Sequence, residues 1–188
     1  MKMDPGKLQV WGWRVLPILV LIIVRVIRAI AGKYIGQIWF SEATLMAGWI
    51  IGWLVVDAEG IFYAAITNPQ ETVSQSVMTE LRARNFRKAW KLSMETSGER
   101  TKLPIRNILT AFAMTGVGIW VVSSSPSFLA AGLVFGFSVR LFSEMLTSGN
   151  FQSWYWVINR EFTKSEHYGL MLAWVLILFW QWSVLSGR

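Results

Sequence analysis

The sequence predicts an all-α fold: a polytopic bundle of four to five transmembrane helices plus one cytoplasmic amphipathic helix. Three observations lead there. Hydrophobic residues make up 54% of 188 residues, charged residues only 15%, and the mean hydropathy is +0.43, outside the balance of a water-soluble domain. Apolar stretches of roughly 20 residues, the length that crosses a bilayer as a helix, recur along the chain. The 12 Trp, 11 Phe and 4 Tyr supply rings that settle at membrane–water interfaces and pack equally well in helix contacts.

The first apolar stretch, 8–31, carries charge. In RVLPILVLIIVRVIRAI only Val15 to Val24 is uncharged between Arg14 and Arg25. At about 100° per residue, Lys7, Arg14, Arg25 and Arg28 share roughly a quarter of the helix circumference, a basic stripe. Such a helix either tilts with its arginines reaching head groups or spans with them facing carboxylates; spanning is favoured. No small-residue cleavage site follows, so it does not read as a signal peptide.

The second stretch, 35–56, holds Glu42 and GWIIG, whose Gly48 and Gly52 permit close helix contact. The polar segment 67–104 has seven basic residues (Arg82, Arg84, Arg87, Lys88, Lys91, Arg100, Lys102) against four acids, and the positive-inside rule makes it cytoplasmic. Within it, Val73, Val77, Leu81, Phe86, Ala89 and Trp90 give an imperfect apolar face to one helix over 71–92, resting on the membrane or capping the bundle.

Two further spans, 105–124 and 127–147, form a hairpin through SSSPS, and GLVFG in the later one (Gly132, Gly136) repeats the small-residue spacing of GWIIG. Tight packing of these two glycine pairs, or a homo-oligomer through them, follows. The last span is 168–186, opened by His167. Residues 1–188 then form a single domain, multi-pass in the cell membrane, with the N-terminus and 67–104 cytoplasmic; Arg28 and Lys33 fall on the minority side.

Several chemistries are poorly served. Without Cys there is no disulfide, thiolate metal site or Cys nucleophile, and one His limits metal ligation. The net charge of +7 is explained by topology, and no base-reading or stacking module points to nucleic acid. Ser123, Ser124 and Ser125 have no base nearby in sequence.

Chemistry must therefore rest on charge within or beside the bilayer, which is costly unless paired or wetted. The candidates are Arg25, Arg28, Glu42, Asp57, Glu59, Arg140 and Glu144. Arg140 and Glu144 are four residues apart and meet on one helix face, as a structural bolt or as the lining of a polar cavity. Glu42 lies roughly 22 Å along the helix from Asp57 and is placed to meet Arg25 or Arg28.

The order GWIIGWLVVDAEGIFYAAITNPQE, RNFRKAWKLSMETSGERTKLPIRNIL and VVSSSPSFLAAGLVFGFSVRLFSEML, over about 45–147, resembles bacterial membrane proteins related to the membrane-bound metal-dependent hydrolases. That family carries Asp-x-Asp-His after an apolar helix, a His at the start of a later helix, and His-x-x-x-Asp on a further one, a set able to hold a divalent metal that acidifies a bound water. Here the positions read Asp57, Glu59 and Gly60, then Asn107, then Arg140 and Glu144. Every imidazole is replaced. Since Arg cannot ligate a metal, the resemblance implies a vestigial polar site in which Arg140 bridges Asp57, Glu59 or Glu144.

Three readings follow. The first is a non-catalytic, degenerate hydrolase relative acting with a protein partner or homo-oligomer in a membrane assembly. The second is an active hydrolase of a lipid-like or phosphorylated substrate with Mg²⁺ or Mn²⁺ on Asp57, Glu59 and Glu144. The third is a small transporter or channel using Glu42, Arg140 and Glu144.

Overall fold

The computed structural model describes residues 5–32, 35–96 and 103–188, with side chains from residue 15 and, in the second stretch, from 39. Lys7, Arg14 and Lys33, together with Glu99, Arg100 and Lys102, lie outside the described side chains. The helices are α1 (Pro5–Ala31), α2 (Ile35–Phe62), α3 (Thr72–Arg82), α4 (Phe86–Glu95), α5 (Ile108–Ser124), α6 (Phe128–Thr147) and α7 (Lys164–Gly187), with no strand among the described residues.

Among the described residues three helices are long and apolar enough to cross a membrane: Trp39–Thr67, Phe128–Thr147 and Lys164–Gly187. The third expected span, 105–124, becomes the 17-residue α5, apolar but shorter. Outward-facing Leu16, Ile23, Phe62, Ile66, Phe112, Leu172, Leu176 and Phe179 are all more than half or nearly half exposed. So many exposed large apolar side chains suit lipid rather than water.

The closest helix pair is α2 with α6, and glycine explains it. A Cβ at Gly48 would strike the backbone carbonyl of Leu129, and one at Gly52 that of Leu133. Reciprocally, Gly132 abuts the carbonyl of Leu45 and Gly136 that of Trp49. The two small-residue pairs therefore pack against each other within one chain, backbone on backbone. Residue numbers rise together along both helices, so α2 and α6 run parallel.

Two apolar clusters fill the bundle. One joins five helices: Ile18 and Leu21 of α1, Leu45 and Trp49 of α2, Val121 and Val122 of α5, Phe135 and Val139 of α6, and Leu185 of α7. The other sits toward the α3–α4 end and includes Val56, Ile108, Phe137, Leu141, Met145 and Trp174. It also takes in Trp154 and Tyr155 from the segment between α6 and α7.

Two expectations need correction. The second span does not stop near residue 56: α2 runs to Phe62 and continues as a π-helical turn, Tyr63–Thr67, so Asp57 and Glu59 lie inside a helix. Buried Tyr63 holds that turn, its hydroxyl donating to Glu71 at 2.8 Å and accepting from Asn68 at 2.6 Å.

The amphipathic segment is two helices rather than one over 71–92. Arg84 takes a left-handed conformation (φ 58), the Arg84 N–H bonds the Leu81 carbonyl and the Asn85 N–H bonds that of Glu80. This is the helix-ending turn that glycine usually makes, here without a glycine to announce it. Glu80 then fastens the start of α4 by accepting from Lys88 and Asn85, which holds its carboxyl below the usual range. Val77 and Ala89 close over Ala64, so the hairpin caps the end of α2.

Candidate functional site

The α2–α6 register carries the charges into contact. Past the glycines, the same parallel alignment sets Asp57 and Trp53 of α2 opposite Arg140 and Glu144 of α6. Arg140 donates to Asp57 Oδ1 from Nε at 2.9 Å and from Nη2 at 2.6 Å. Its Nη1 donates to Glu144 Oε1, one turn on, and its Cζ lies 5.1 Å from the centre of the Trp53 ring. The Arg140 side chain is only 4% exposed, so this is a desolvated, charge-assisted clasp.

Arg106, in the turn before α5, extends the network. Its Nε lies 3.2 Å from Glu59 Oε2 and its Nη1 3.5 Å from Glu144 Oε2. Glu59 Oε1 in addition accepts the backbone N–H groups of Ile105 and Arg106. The result is a chain of alternating charge, Asp57, Arg140, Glu144, Arg106, Glu59, in which α6 is fastened to α2 and the approach to α5 to both.

Asn107 belongs elsewhere. Its Oδ1 accepts the Thr110 N–H at 2.9 Å and its amide donates to the Pro104 carbonyl, so it is the N-cap of α5. Of the five residues expected in the vestigial site, Asp57, Arg140 and Glu144 meet directly, Glu59 joins through Arg106, and Asn107 shapes the turn that presents Arg106. Sequence reading passed over Arg106 because it sits at the edge of an apolar stretch. Its signal was the charge count: three acids around one Arg140 call for a second cation.

At the other end, Arg25 Nε donates to Glu42 Oε1 at 2.6 Å and its Nη1 to the Leu185 carbonyl at 2.7 Å. Of the two partners open to Glu42, Arg25 takes it, while Arg28 donates to the Ser186 carbonyl. His167 is buried beside Phe151, with Nδ1 3.0 Å from the Tyr155 hydroxyl. Burial, and secondarily the charge of Glu166, raises the Tyr155 phenol above its ordinary value.

No family model, curated protein or solved structure matches the chain.

Asp57, Glu59 and Glu144 do not fit a divalent metal as they stand. Each carboxylate is engaged by Arg140 or Arg106, and two guanidinium cations occupy the space between them. A hard cation would need those oxygens turned toward it and the arginines moved away. Among the described residues no group of three or more acidic, His or Cys side chains is arranged to hold a metal.

Proposed function

We propose that this chain is a non-catalytic integral membrane protein acting in a membrane assembly, a degenerate relative of the membrane-bound metal-dependent hydrolases whose former metal centre has become a structural clasp. One observation carries the reading: Arg140 stands between Asp57 and Glu144, holding both carboxylates with its own donors. A guanidinium there neutralises the acids as a cation would, yet offers no open coordination position and no activated water.

The orientation in this reading places the N-terminus and the α3–α4 hairpin in the cytoplasm of a bacterial inner membrane. Its support is the exposed basic set Arg82, Arg84, Arg87, Lys88 and Lys91 on that hairpin. The hairpin also leaves Phe86 66% exposed among those charges, a combination suited to a protein partner or the lipid surface. Because Gly48, Gly52, Gly132 and Gly136 are spent on α2–α6 packing, a homo-oligomer would have to use another face. Transport along Glu42, Arg140 and Glu144 is less well supported, since Leu45, Trp49, Phe135 and Val139 fill the bundle between the two ends.

Elemental analysis of detergent-purified protein after dialysis against Mg²⁺ and Mn²⁺ tests the reading. No stoichiometric metal is expected in wild type or in Asp57→Ala. Near one metal per chain, lost in Asp57→Ala, would overturn the clasp and reinstate a hydrolase.

A further inference from the structure

At the end of the bundle opposite the clasp, a cavity of about 820 Å³ opens between the last turn of α1, the beginning of α2, the start of α6 and the end of α7. That volume lies within the range of ligand sites. Arg25, Arg28 and Arg188 all line it.

Each arginine is oriented by a helix end. Arg25 and Arg28 donate to the Leu185 and Ser186 carbonyls that finish α7. Arg188 donates to the Val122 and Ser125 carbonyls that finish α5. These bonds use one or two of the five N–H groups on each guanidinium, and Arg25 gives a further one to Glu42, so Arg28 and Arg188 keep the most donors at the cavity wall. Only Arg25 has an acidic partner, Glu42; among the described residues no carboxylate lies within ion-pair distance of Arg28 or Arg188.

The carbonyl ends of α5 and α7 that reach the cavity are taken up by these arginines, and one helix start beside them adds positive charge. Ser127, Phe128 and Leu129 bring the N-terminal turn of the 20-residue α6 to the cavity, with its positive dipole end. Arg25 and Arg188 flank the Phe128 ring, their Cζ atoms 4.7 and 5.4 Å from its centre, which fixes both cations at one apolar wall. Two apolar residues of the lining face outward, Phe40 78% and Leu129 42% exposed. A ligand matched to these walls has an anionic head able to accept paired N–H donors and an apolar body.

We propose that this cavity binds the phosphoryl headgroup of an anionic membrane lipid, held by Arg28, Arg188 and the first turn of α6, with its acyl chains leaving past Phe40 and Leu129. The bound headgroup ties the end of α1 to the α5–α6 hairpin and to the end of α7.

The test is thermal unfolding of the full chain in non-ionic detergent with dioctanoyl phosphatidylglycerol, dioctanoyl phosphatidylcholine or inorganic phosphate, with native mass spectrometry counting bound lipid. Phosphatidylglycerol should raise the melting temperature and bind as one retained molecule, while phosphatidylcholine and phosphate leave both unchanged. In Arg28→Gln/Arg188→Gln the apparent affinity should fall at least roughly tenfold. Arg28→Lys/Arg188→Lys should recover part of it, and Arg160→Gln/Lys164→Gln, exposed at the opposite end of α7, should bind as wild type. An equal response to inorganic phosphate would overturn the lipid assignment in favour of a free-phosphate site. An equal loss in Arg160→Gln/Lys164→Gln would reduce the effect to bulk charge, and no response to phosphatidylglycerol would remove the site.

Discussion

Arg140 and Asp57, 83 residues apart in sequence, meet through two hydrogen bonds from one guanidinium to one carboxylate oxygen. Both side chains are less than a tenth exposed, so removing either partner strands the other away from water. Arg140→Leu should destabilise the protein by roughly 3–5 kcal/mol, read as a lower melting temperature in detergent. An unchanged melting curve would mean that Arg140 holds nothing.

Stranded charge, rather than lost attraction, should dominate that cost. Adding Glu144→Leu to Arg140→Leu should recover part of the stability, and Asp57→Leu with Arg140→Leu should recover more, because Asp57 is the more buried acid. Double-mutant cycles on thermal unfolding measure both couplings, and simple additivity would show the residues to be independent.

The glycine contacts predict a contrast between two alanines. Gly48→Ala puts a methyl group into the Leu129 carbonyl and should cost about 1–3 kcal/mol or more by forcing α2 and α6 apart. Gly116→Ala in α5 meets nothing within 4 Å and should be neutral or stabilising by up to about 1 kcal/mol. Equal effects in a melting assay would contradict the packing described.

Arg84 offers a test of the hairpin. Its φ of 58 suits glycine, so Arg84→Gly should stabilise the α3–α4 turn and Arg84→Val should weaken it, each by about 1 kcal/mol. Hydrogen exchange of the α3 and α4 amides reads the change locally; the reverse ranking would argue for one continuous helix.

Tyr155 predicts a response to alkali. Its folded-state phenol is raised above the ordinary value near 10, so the native chain keeps a proton that the unfolded chain has lost. Its contribution is complete below pH 10 and disappears as pH rises through the raised value. Melting curves from pH 8 to 11 should therefore show wild type losing more stability than Tyr155→Phe above pH 10, and parallel losses would place the phenol in water.

The charge pairs show how far the sequence could be read. Arg140 and Glu144 share a helix face by their spacing alone, and Glu42 could be matched to the arginines of α1 by position along the helices. The choice of Arg25 over Arg28 could not, because it depends on where α7 ends: the Ser186 carbonyl takes Arg28 and leaves Arg25 to Glu42. Arg106 was hidden for a similar reason. It reaches Glu59 only because Asn107 caps α5 and the preceding turn folds back on α2.

By itself the sequence determined the all-α class, the apolar helices and the small-residue pairs, since these follow from hydropathy, helical period and the absence of a Cβ, all local properties. Tertiary structure decided that the glycine pairs seat against each other in parallel, and that this register delivers Arg140 to Asp57. It also decided that a residue with φ 58 divides the amphipathic segment. Those outcomes depend on how distant backbones pack and which buried charges find partners, and desolvation makes that pairing a property of the whole bundle.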